Sequence, residues 1–272
     1  MTILDLLLPA FVASLILTGI HAYLGVHVVE RGVIFVDLSL AQIAALGTTV
    51  AYLAGYDLHS TAAYLFSLAF TFLGAVIFAL SRVHRSTRIP QEAVIGIVYA
   101  VSAAVAILVM SKATQETEHL KEMLVGNVLS VTWPELARTA VLYAAVGVFH
   151  YFCRERFLNI SMHEEEAVRR GYNIRFWDFL FYVSFGFVVT SSVAIAGVLL
   201  VFCFLIVPSV AAMLFAERLG PRLALGWTMG ALVSAGGVAL SFFLDLPTGA
   251  TIVATFGAAL LLLAVVRWAF RR

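Results

Sequence analysis

Long apolar runs separated by short polar gaps extend along almost the whole chain. Windows of about 19 residues place these runs at Leu6–Val29, Val33–Leu53, Thr61–Leu80, Ala93–Met110, Leu136–Phe152, Phe176–Ala194, Gly197–Phe215, Leu223–Leu244 and Thr248–Val266. Each run is close to the roughly 20 residues that a helix needs to cross a bilayer core of about 30 Å. Runs this continuous lack the period-two alternation of barrel strands, and backbone amides cannot go unpaired in lipid. We therefore predict an all-α fold, a polytopic membrane protein whose single transmembrane domain covers residues 1–272.

The number of transmembrane helices depends on the stretch Phe176–Phe215, which is about 40 apolar residues long. Only Ala196-Gly197 marks a turn inside it. Two separate spans would give nine transmembrane helices, and one kinked or re-entrant element would give eight. Pro208, in the second half of the stretch, removes a helix hydrogen bond and predicts a kink or break there.

Basic residues lie almost entirely in every second gap and in the C-terminal tail. These residues are Arg31, Arg82, Arg85, Arg88, Arg154, Arg156, Arg169, Arg170, Arg175, Arg218, Arg222, Arg267, Arg271 and Arg272. They are 14 of the 17 Lys and Arg residues, so the positive-inside rule predicts cytoplasmic gaps there and an N-terminus outside. Only 12% of the residues are charged and the net charge is +1, which excludes an ordinary soluble domain and gives no sign of a nucleic-acid partner.

Motifs for nucleotide binding and hydrolysis are absent from the sequence. The chain has no Gly-x-x-x-x-Gly-Lys-Ser/Thr phosphate loop, no His-Glu-x-x-His motif and no Gly-x-Ser-x-Gly motif. Its two cysteines, Cys153 and Cys203, have different predicted depths and predict neither a disulfide framework nor a metal-binding pair. We therefore predict that the chain is not an enzyme, holds no permanent cofactor and does not itself bind ATP.

The longest cytoplasmic gap, residues 153–175, contains a predicted surface helix. Ser161 can cap its N-terminus and Gly171 can end it. Between these two residues lie Glu164, Glu165, Glu166, Ala167, Arg169 and Arg170. Acids at the N-terminal end and bases at the C-terminal end suit the helix dipole. Such a helix is either a solvated loop helix or a docking surface for a cytoplasmic motor domain.

The gap between residues 111 and 132 is predicted to lie outside the cell. It carries the carboxyl and imidazole groups of Glu116, Glu118, His119 and Glu122. On a helix, Glu118 and Glu122 share a face, and so do His119 and Glu122. Because such oxygens and nitrogens are suitable ligands for a divalent cation, the cluster predicts outer metal capture. The alternative is a solvated amphipathic face.

Asp37 is the one acid well inside the apolar run Val33–Leu53. A carboxylate in a span costs about 3 kcal/mol on insertion scales, so Asp37 should meet an aqueous path or a base such as Arg31. Gln42, five residues later, lies about 140° away on a regular helix, and a wide i to i+5 turn would align the two. We predict that Asp37 and Gln42 line a transport pathway with His21 nearby. The alternatives are an ion pair for Asp37 and a packing role for His21.

Five short patterns occur along the chain in a fixed order. They are Val29–Gly32 leading into Asp37 and Gly47, Gln91–Ile97, Gly126–Val131, Glu164–Ala167 with Gly171, and Gly197–Val201 followed by Leu205–Pro208. Together they resemble the membrane permease family of bacterial ABC importers for zinc, manganese and iron, over about residues 25–263. In that family the fourth pattern is the coupling-helix motif, here Glu164, Glu165, Ala167 and Gly171.

The resemblance implies a permease subunit that forms the pathway for a divalent transition metal as a homodimer. It also implies cytoplasmic ABC ATPase subunits, an extracytoplasmic metal-binding protein and a lipid-embedded, multi-pass place in the bacterial inner membrane. The family usually has an Asp and, four residues later, a His in the second span. Alignment on Gly47 puts Leu38 and Gln42 there, with Asp37 one residue early, so the metal ligands stay open. Oxygen ligands would favour manganese or iron, and an added histidine would favour zinc.

Other functions compete with a metal importer. An iron-siderophore or vitamin ABC permease belongs to a related architecture that usually has more spans and a longer chain. A passive channel or membrane scaffold would need no ATPase. The dimer could also be a heterodimer, in which a different permease chain takes the place of the second copy.

Overall fold

The computed structural model describes residues 3–57, 60–82, 89–111 and 128–270, with side chains from Leu7 onward. Within these ranges all regular structure is helical. The helices are α1 (Ile3–Arg31), α2 (Val36–Leu53), α3 (Thr61–Leu80), α4 (Gln91–Met110), α5 (Trp133–Phe152), α6 (Arg154–Met162), α7 (Glu164–Arg169), α8 (Ile174–Met213), α9 (Leu219–Leu244) and α10 (Thr248–Ala269), with a 3₁₀ turn at Val128–Ser130. The predicted all-α fold is confirmed.

Seven of the described helices are long and apolar enough to cross a membrane. The pair α5 and α6, bent by 76°, raises the number to eight if it forms one broken span. The runs predicted as separate spans, Phe176–Ala194 and Gly197–Phe215, both belong to the 40-residue element α8, except for the last two residues of the second run. A straight helix of 40 residues would be about 60 Å long, twice the bilayer core, so α8 has to bend to stay within it.

The bend in α8 lies at Gly197, as the turn predicted at Ala196-Gly197 requires. Gly197 has φ 74° and ψ 163°, a conformation that glycine adopts without a side-chain clash. Pro208, by contrast, lies inside the second helical segment, and Gly197 is the only residue of α8 with non-helical dihedral angles. Of the kink or break predicted at Pro208, the break is therefore wrong. A proline has a helix-compatible φ, and the lost hydrogen bond alone does not break this segment.

The described residues fall into two compact units. The terminal unit comprises the described residues within Met1–Val29, Leu124–Ala145 and Ser192–Arg272, and the central unit comprises those within Glu30–Met123 and Val146–Ser191. Each unit contains part of α8, because the boundary between the units falls within that helix.

Small residues allow close helix contacts in the central unit. A side chain at Gly47 of α2 would lie 2.7 Å from the carbonyl oxygen of Phe66 in α3. Ser67 of α3 donates a hydrogen bond from its hydroxyl to the carbonyl oxygen of Ala44 at 2.9 Å. Backbone approach and side-chain hydrogen bonds of this kind hold helices together in lipid, where the hydrophobic effect gives little. They fix the position of α2, which carries Asp37.

Small residues also allow close helix contacts in the terminal unit. A Cβ at Gly25 of α1 would overlap the carbonyl oxygen of Leu205, in the second segment of α8. Ser209, one turn further along α8, donates its hydroxyl to the carbonyl oxygen of Ala22 at 3.2 Å. Gly230 of α9 lies against Thr18 in the same close manner. Helix α1 is thereby packed against both α8 and α9 by small side chains.

Candidate functional site

Asp37 lies in the first turn of α2, closer to the helix end than the sequence predicts. The helix begins only at Val36, because Gly32 with φ 67° ends α1 and residues 33–35 form the connection. The Asp37 side chain is 1% exposed, and its Oδ1 has no hydrogen-bond partner among the described residues. The positive end of the helix dipole favours a carboxylate there. The ion pair with Arg31 that was the alternative for Asp37 is not formed.

Glu92 brings a second carboxylate to the same end of α2. It lies in the first turn of α4, and its Oε1 accepts a hydrogen bond from the backbone amide of Phe35 at 3.0 Å. Its other oxygen, Oε2, is buried and has no hydrogen-bond partner within the described ranges. Sequence reasoning noted Glu92 only as part of a family pattern. An acid immediately before the predicted span Ala93–Met110 is the signal that would have singled it out.

Gln42 does not share a side of α2 with Asp37. Helix α2 is α-helical throughout Val36–Leu53, so the predicted wide turn is absent. On a regular helix, five residues turn the two side chains about 140° apart. The prediction that Asp37 and Gln42 line one side is therefore wrong. The i to i−4 hydrogen bonds of a regular helix leave no room for the extra residue of a bulge.

His21 lies in the terminal unit with both ring nitrogens engaged. Its Nδ1 lies 2.8 Å from the carbonyl oxygen of Leu17 and its Nε2 lies 3.2 Å from the hydroxyl of Ser192. Since a carbonyl oxygen only accepts, a neutral His21 donates from Nδ1 and accepts the Ser192 hydroxyl proton at Nε2. The Tyr143 hydroxyl bonds to Ser192 in turn. This geometry favours the alternative, a hydrogen-bonded packing histidine.

The predicted outer cluster lies outside the described residues. Its members are Glu116, Glu118, His119 and Glu122. Within the described ranges, no group of three or more His, Cys, Asp or Glu side chains is arranged to hold a metal ion. A metal site in the described part of the chain would therefore contain at most two side chains of these four types.

The loop predicted to hold one capped helix contains two. Helix α6 ends at Met162 and α7 begins at Glu164, with His163 between them. The predicted cap at Ser161 is wrong, because Ser161 belongs to the last turn of α6 and its hydroxyl accepts a hydrogen bond from Arg31 Nε at 2.8 Å. The predicted stop is confirmed, since Gly171 follows α7 with φ 74°.

Helix α7 has a buried side and an exposed side. Ala167 is fully buried, so it can only seat the helix and cannot itself touch a partner. Glu165, Val168 and Arg169 are exposed, and their spacing of three and four residues puts them on one face. Val168 is a large apolar side chain that is 47% exposed, whereas the other two exposed residues of α7 are charged. We call Glu165, Val168 and Arg169 the α7 outer face.

A buried ionic network lies beneath α7 in the central unit. The carboxylate of Asp178, in the first segment of α8, contacts Arg31 Nη1 at 2.7 Å and Arg82 Nη1 at 2.8 Å. Arg82 Nη2 also lies 3.2 Å from Glu164 Oε1, at the start of α7. The side chains of Arg31 and Asp178 are 0% exposed. We call Arg31, Asp178, Arg82 and Glu164 the arginine network.

The arginine network is electrically balanced, with two cationic and two anionic side chains. Burial lowers the pKa of Arg82, but Asp178, Tyr182 and Glu164 together raise this pKa above its ordinary value, so the guanidinium stays charged. The Arg31 guanidinium also stacks over the ring of Phe181 at 4.1 Å. Removing one partner of a buried pair typically destabilises a protein by about 3–5 kcal/mol. Sequence reasoning missed Asp178, although an acid at the third position of the predicted span Phe176–Ala194 is the same kind of signal as Asp37.

Comparison with known proteins identifies the family. The ABC 3 transport family matches residues 3–267, nearly the whole chain. The chain belongs to the ABC 3 transport family. The resemblance to importer permeases found in the sequence is therefore confirmed.

Two relatives of this ABC 3 family member carry names that refer to metals. A probable iron transport system membrane protein of Haemophilus influenzae is 28% identical over 90% of this chain and 87% of its own length. A manganese transport system membrane protein, MntC, of Listeria innocua is 26% identical over 90% of this chain and 84% of its own length.

A solved structure has the same fold as this ABC 3 family member. In the structure of PsaBC from Streptococcus pneumoniae in complex with Fab, the matching chain has a TM-score of 0.78 and 22% identity. The match covers 94% of this chain and 90% of that chain. The helical architecture is therefore shared along nearly the full length.

The family patterns fall at the ends and breaks of the described helices. The acidic pattern Gln91–Ile97 opens α4, and Glu164–Ala167 forms most of α7. Gly197 is the kink of α8. In this ABC 3 chain the recurring motifs therefore mark places where helices start, bend or turn, which are the places that position Glu92, Glu164 and the second segment of α8.

Proposed function

We propose that this ABC 3 family member is the transmembrane subunit of an ATP-driven importer for a divalent transition metal. The observation that carries the proposal is the buried carboxylate of Asp37, whose Oδ1 has no partner among the described residues. An intramembrane acid without a protein partner is best explained by a cation that passes it. The names of the iron and manganese relatives support the same cargo.

Manganese or iron fits the described side chains better than zinc. Asp37 and Glu92 offer hard carboxylate oxygens at one end of α2, which suit these metals. Zinc would be favoured by an added imidazole, but both ring nitrogens of His21 are already engaged. We therefore assign Asp37, with Glu92, to the metal pathway and leave His21 as a packing residue.

The energy source in this proposal is a separate ATPase. The sequence contains no phosphate loop, and α7 presents an outer face that combines an acid, a base and an exposed valine. Such a mixed, partly apolar face is more typical of a surface that binds a protein than of one that contacts only solvent. In the proposed orientation the N-terminus is outside, α7 is cytoplasmic, a second copy completes the pathway, and an external protein delivers the metal.

Reconstitution tests this function directly. The purified chain, together with an ABC ATPase that copurifies with it, should hydrolyse ATP faster in liposomes when Mn²⁺ or Fe²⁺ and the external binding protein are present. Accumulation of metal inside the liposomes should require ATP. Metal flux that continues without ATP would support a channel instead, and stimulation by a siderophore or vitamin alone would support the larger permease class.

The outer cluster is expected to increase metal capture without setting selectivity. Alanine at all four positions, Glu116, Glu118, His119 and Glu122, should raise the metal concentration needed for half-maximal uptake and leave the maximal rate unchanged. Capture limits the rate only when metal is scarce. Initial uptake of radioactive Mn²⁺ across a concentration series measures both quantities. Unchanged uptake at the lowest metal concentration would show that the cluster does not capture metal and is only a solvated face.

A further inference from the structure

The two helices of the cytoplasmic loop are each held by an arginine of the arginine network. At the end of α6, the Ser161 hydroxyl accepts a hydrogen bond from Arg31. At the start of α7, the Glu164 carboxylate contacts Arg82. His163 lies between them with φ −137° and ψ 56°, outside the helical region. An arginine contact therefore stabilises the chain on each side of the bend between α6 and α7. Both arginines also contact Asp178.

The contacts of this network differ in how easily they can open. Asp178 is fully buried and each of its oxygens has its own arginine, at 2.7 and 2.8 Å. Separating either pair would leave a buried charge without compensation. The Arg82–Glu164 contact is longer, at 3.2 Å, and the Glu164 side chain is 34% exposed. The buried Asp178 pairs are consequently hard to separate, and the solvent-accessible Arg82–Glu164 contact is the one that can open more easily.

We propose that Arg82 is a positioning residue that couples movement of α7 to the membrane helices through its contacts with Glu164 and Asp178. The proposal rests on the proposed function, because it takes α7 as the ATPase docking helix. A displacement of Glu164 reaches Arg82 directly and then Asp178, which lies in α8. Through Asp178 it reaches Arg31, the last residue of α1. Helices α1 and α8 are thereby tied to α7 by side chains alone.

The planar guanidinium of Arg82 is required for this link. Its Nη1 faces Asp178 while its Nη2 faces Glu164, so one side chain binds two carboxylates at once. A lysine ammonium is a single compact charge on a flexible stem and cannot hold both in this fixed geometry. Arg82→Lys should therefore keep the positive charge of the site and still weaken the link.

The test compares Glu164→Gln with a matched control, Glu155→Gln. Both changes remove one carboxylate of this loop that pairs with an arginine, but Glu155 contacts Arg170 on the exposed surface at 3.0 Å, outside the network. The permease and its ATPase are reconstituted in liposomes, and three quantities are measured: ATPase copurification, permease melting temperature and Mn²⁺ transported per ATP hydrolysed.

Glu164→Gln should lower the number of Mn²⁺ ions transported per ATP by about 2- to 30-fold, the range of mutational effects on coupling. ATPase copurification and melting temperature should stay at the level of the unmodified protein. Arg82→Lys should lower the ratio likewise, and Glu164→Gln combined with Arg82→Lys should be no worse than Arg82→Lys alone, since one link is broken once. Glu155→Gln should leave the ratio unchanged.

Two results would overturn the inference while leaving the proposed function in place. One is a normal transport ratio in Glu164→Gln with the ATPase still bound. The other is loss of ATPase copurification in that variant, which would make Glu164 a direct docking contact. Failure of the unmodified chain to bind any ATPase would instead remove the proposed function itself.

Discussion

Transport-coupled ATP hydrolysis is expected to disappear when the α7 outer face is altered by Glu165→Arg combined with Val168→Asp. Both side chains are exposed, so the changes should not disturb the buried seat of the helix at Ala167. The first change reverses a charge and the second replaces the apolar contact by an acid. Hot-spot residues at an interface contribute about 2 kcal/mol or more each, so the loss of two of them should lower the affinity for the ATPase roughly 1,000-fold.

Copurification of the ATPase and metal-stimulated ATP hydrolysis in liposomes measure this effect. Glu217→Arg is the control, because Glu217 is exposed in the short segment between α8 and α9 and undergoes the same charge reversal. The control should bind the ATPase normally. Normal coupling in the α7 variant, with the protein folded and inserted, would show that α7 is only a solvated loop helix.

Asp37→Asn is expected to reduce metal transport strongly without weakening the fold. The amide keeps the shape of the side chain and removes the charge. Since Oδ1 of Asp37 has no hydrogen-bond partner among the described residues, no protein contact at that atom is lost. Removing even the outer-shell partners of a protein-bound metal lowers affinity or activity by about 10- to 100-fold, and loss of a direct ligand should do at least as much.

ATP-dependent uptake of Mn²⁺ into liposomes, with melting temperature measured in parallel, tests Asp37. Ser39→Ala is the matched control, because the Ser39 hydroxyl is also buried in α2 without a partner among the described residues. The control removes a polar atom and no charge, and should transport normally. A normal uptake rate in Asp37→Asn would mean that Asp37 does not meet the transported metal.

The local sequence was sufficient to predict the helices and the residues at which they end or bend. The predicted runs Thr61–Leu80 and Val33–Leu53 end where α3 and α2 end, because the end of an apolar stretch and the backbone preferences of nearby residues act within a few positions. Gly197 and Gly171 were identified for the same reason, since a positive φ favours glycine wherever it occurs. The family was also recognisable, because its short patterns keep their order along the chain.

The start of α2 shows where local prediction loses accuracy. The apolar run begins at Val33, but three residues are used to leave α1 before the helix begins at Val36. Hydropathy is the same for a helix and for an apolar turn, so it does not separate the two. Asp37 therefore moved from the interior of a span to its first turn, and the regular helix after it separated Asp37 from Gln42.

Partners among polar side chains were decided only by the tertiary structure. Arg31 and Asp178 are 147 positions apart, and nothing local in either segment indicates that they meet. Ser161 is a residue type typical of a cap, yet its hydroxyl accepts a hydrogen bond from Arg31. Ala167 of the family motif lies on the buried side of α7. A charged side chain buried next to a membrane needs an opposite charge nearby. The sequence by itself shows which charged residues have this need. Which opposite charge supplies the compensation depends on how helices distant in sequence pack together.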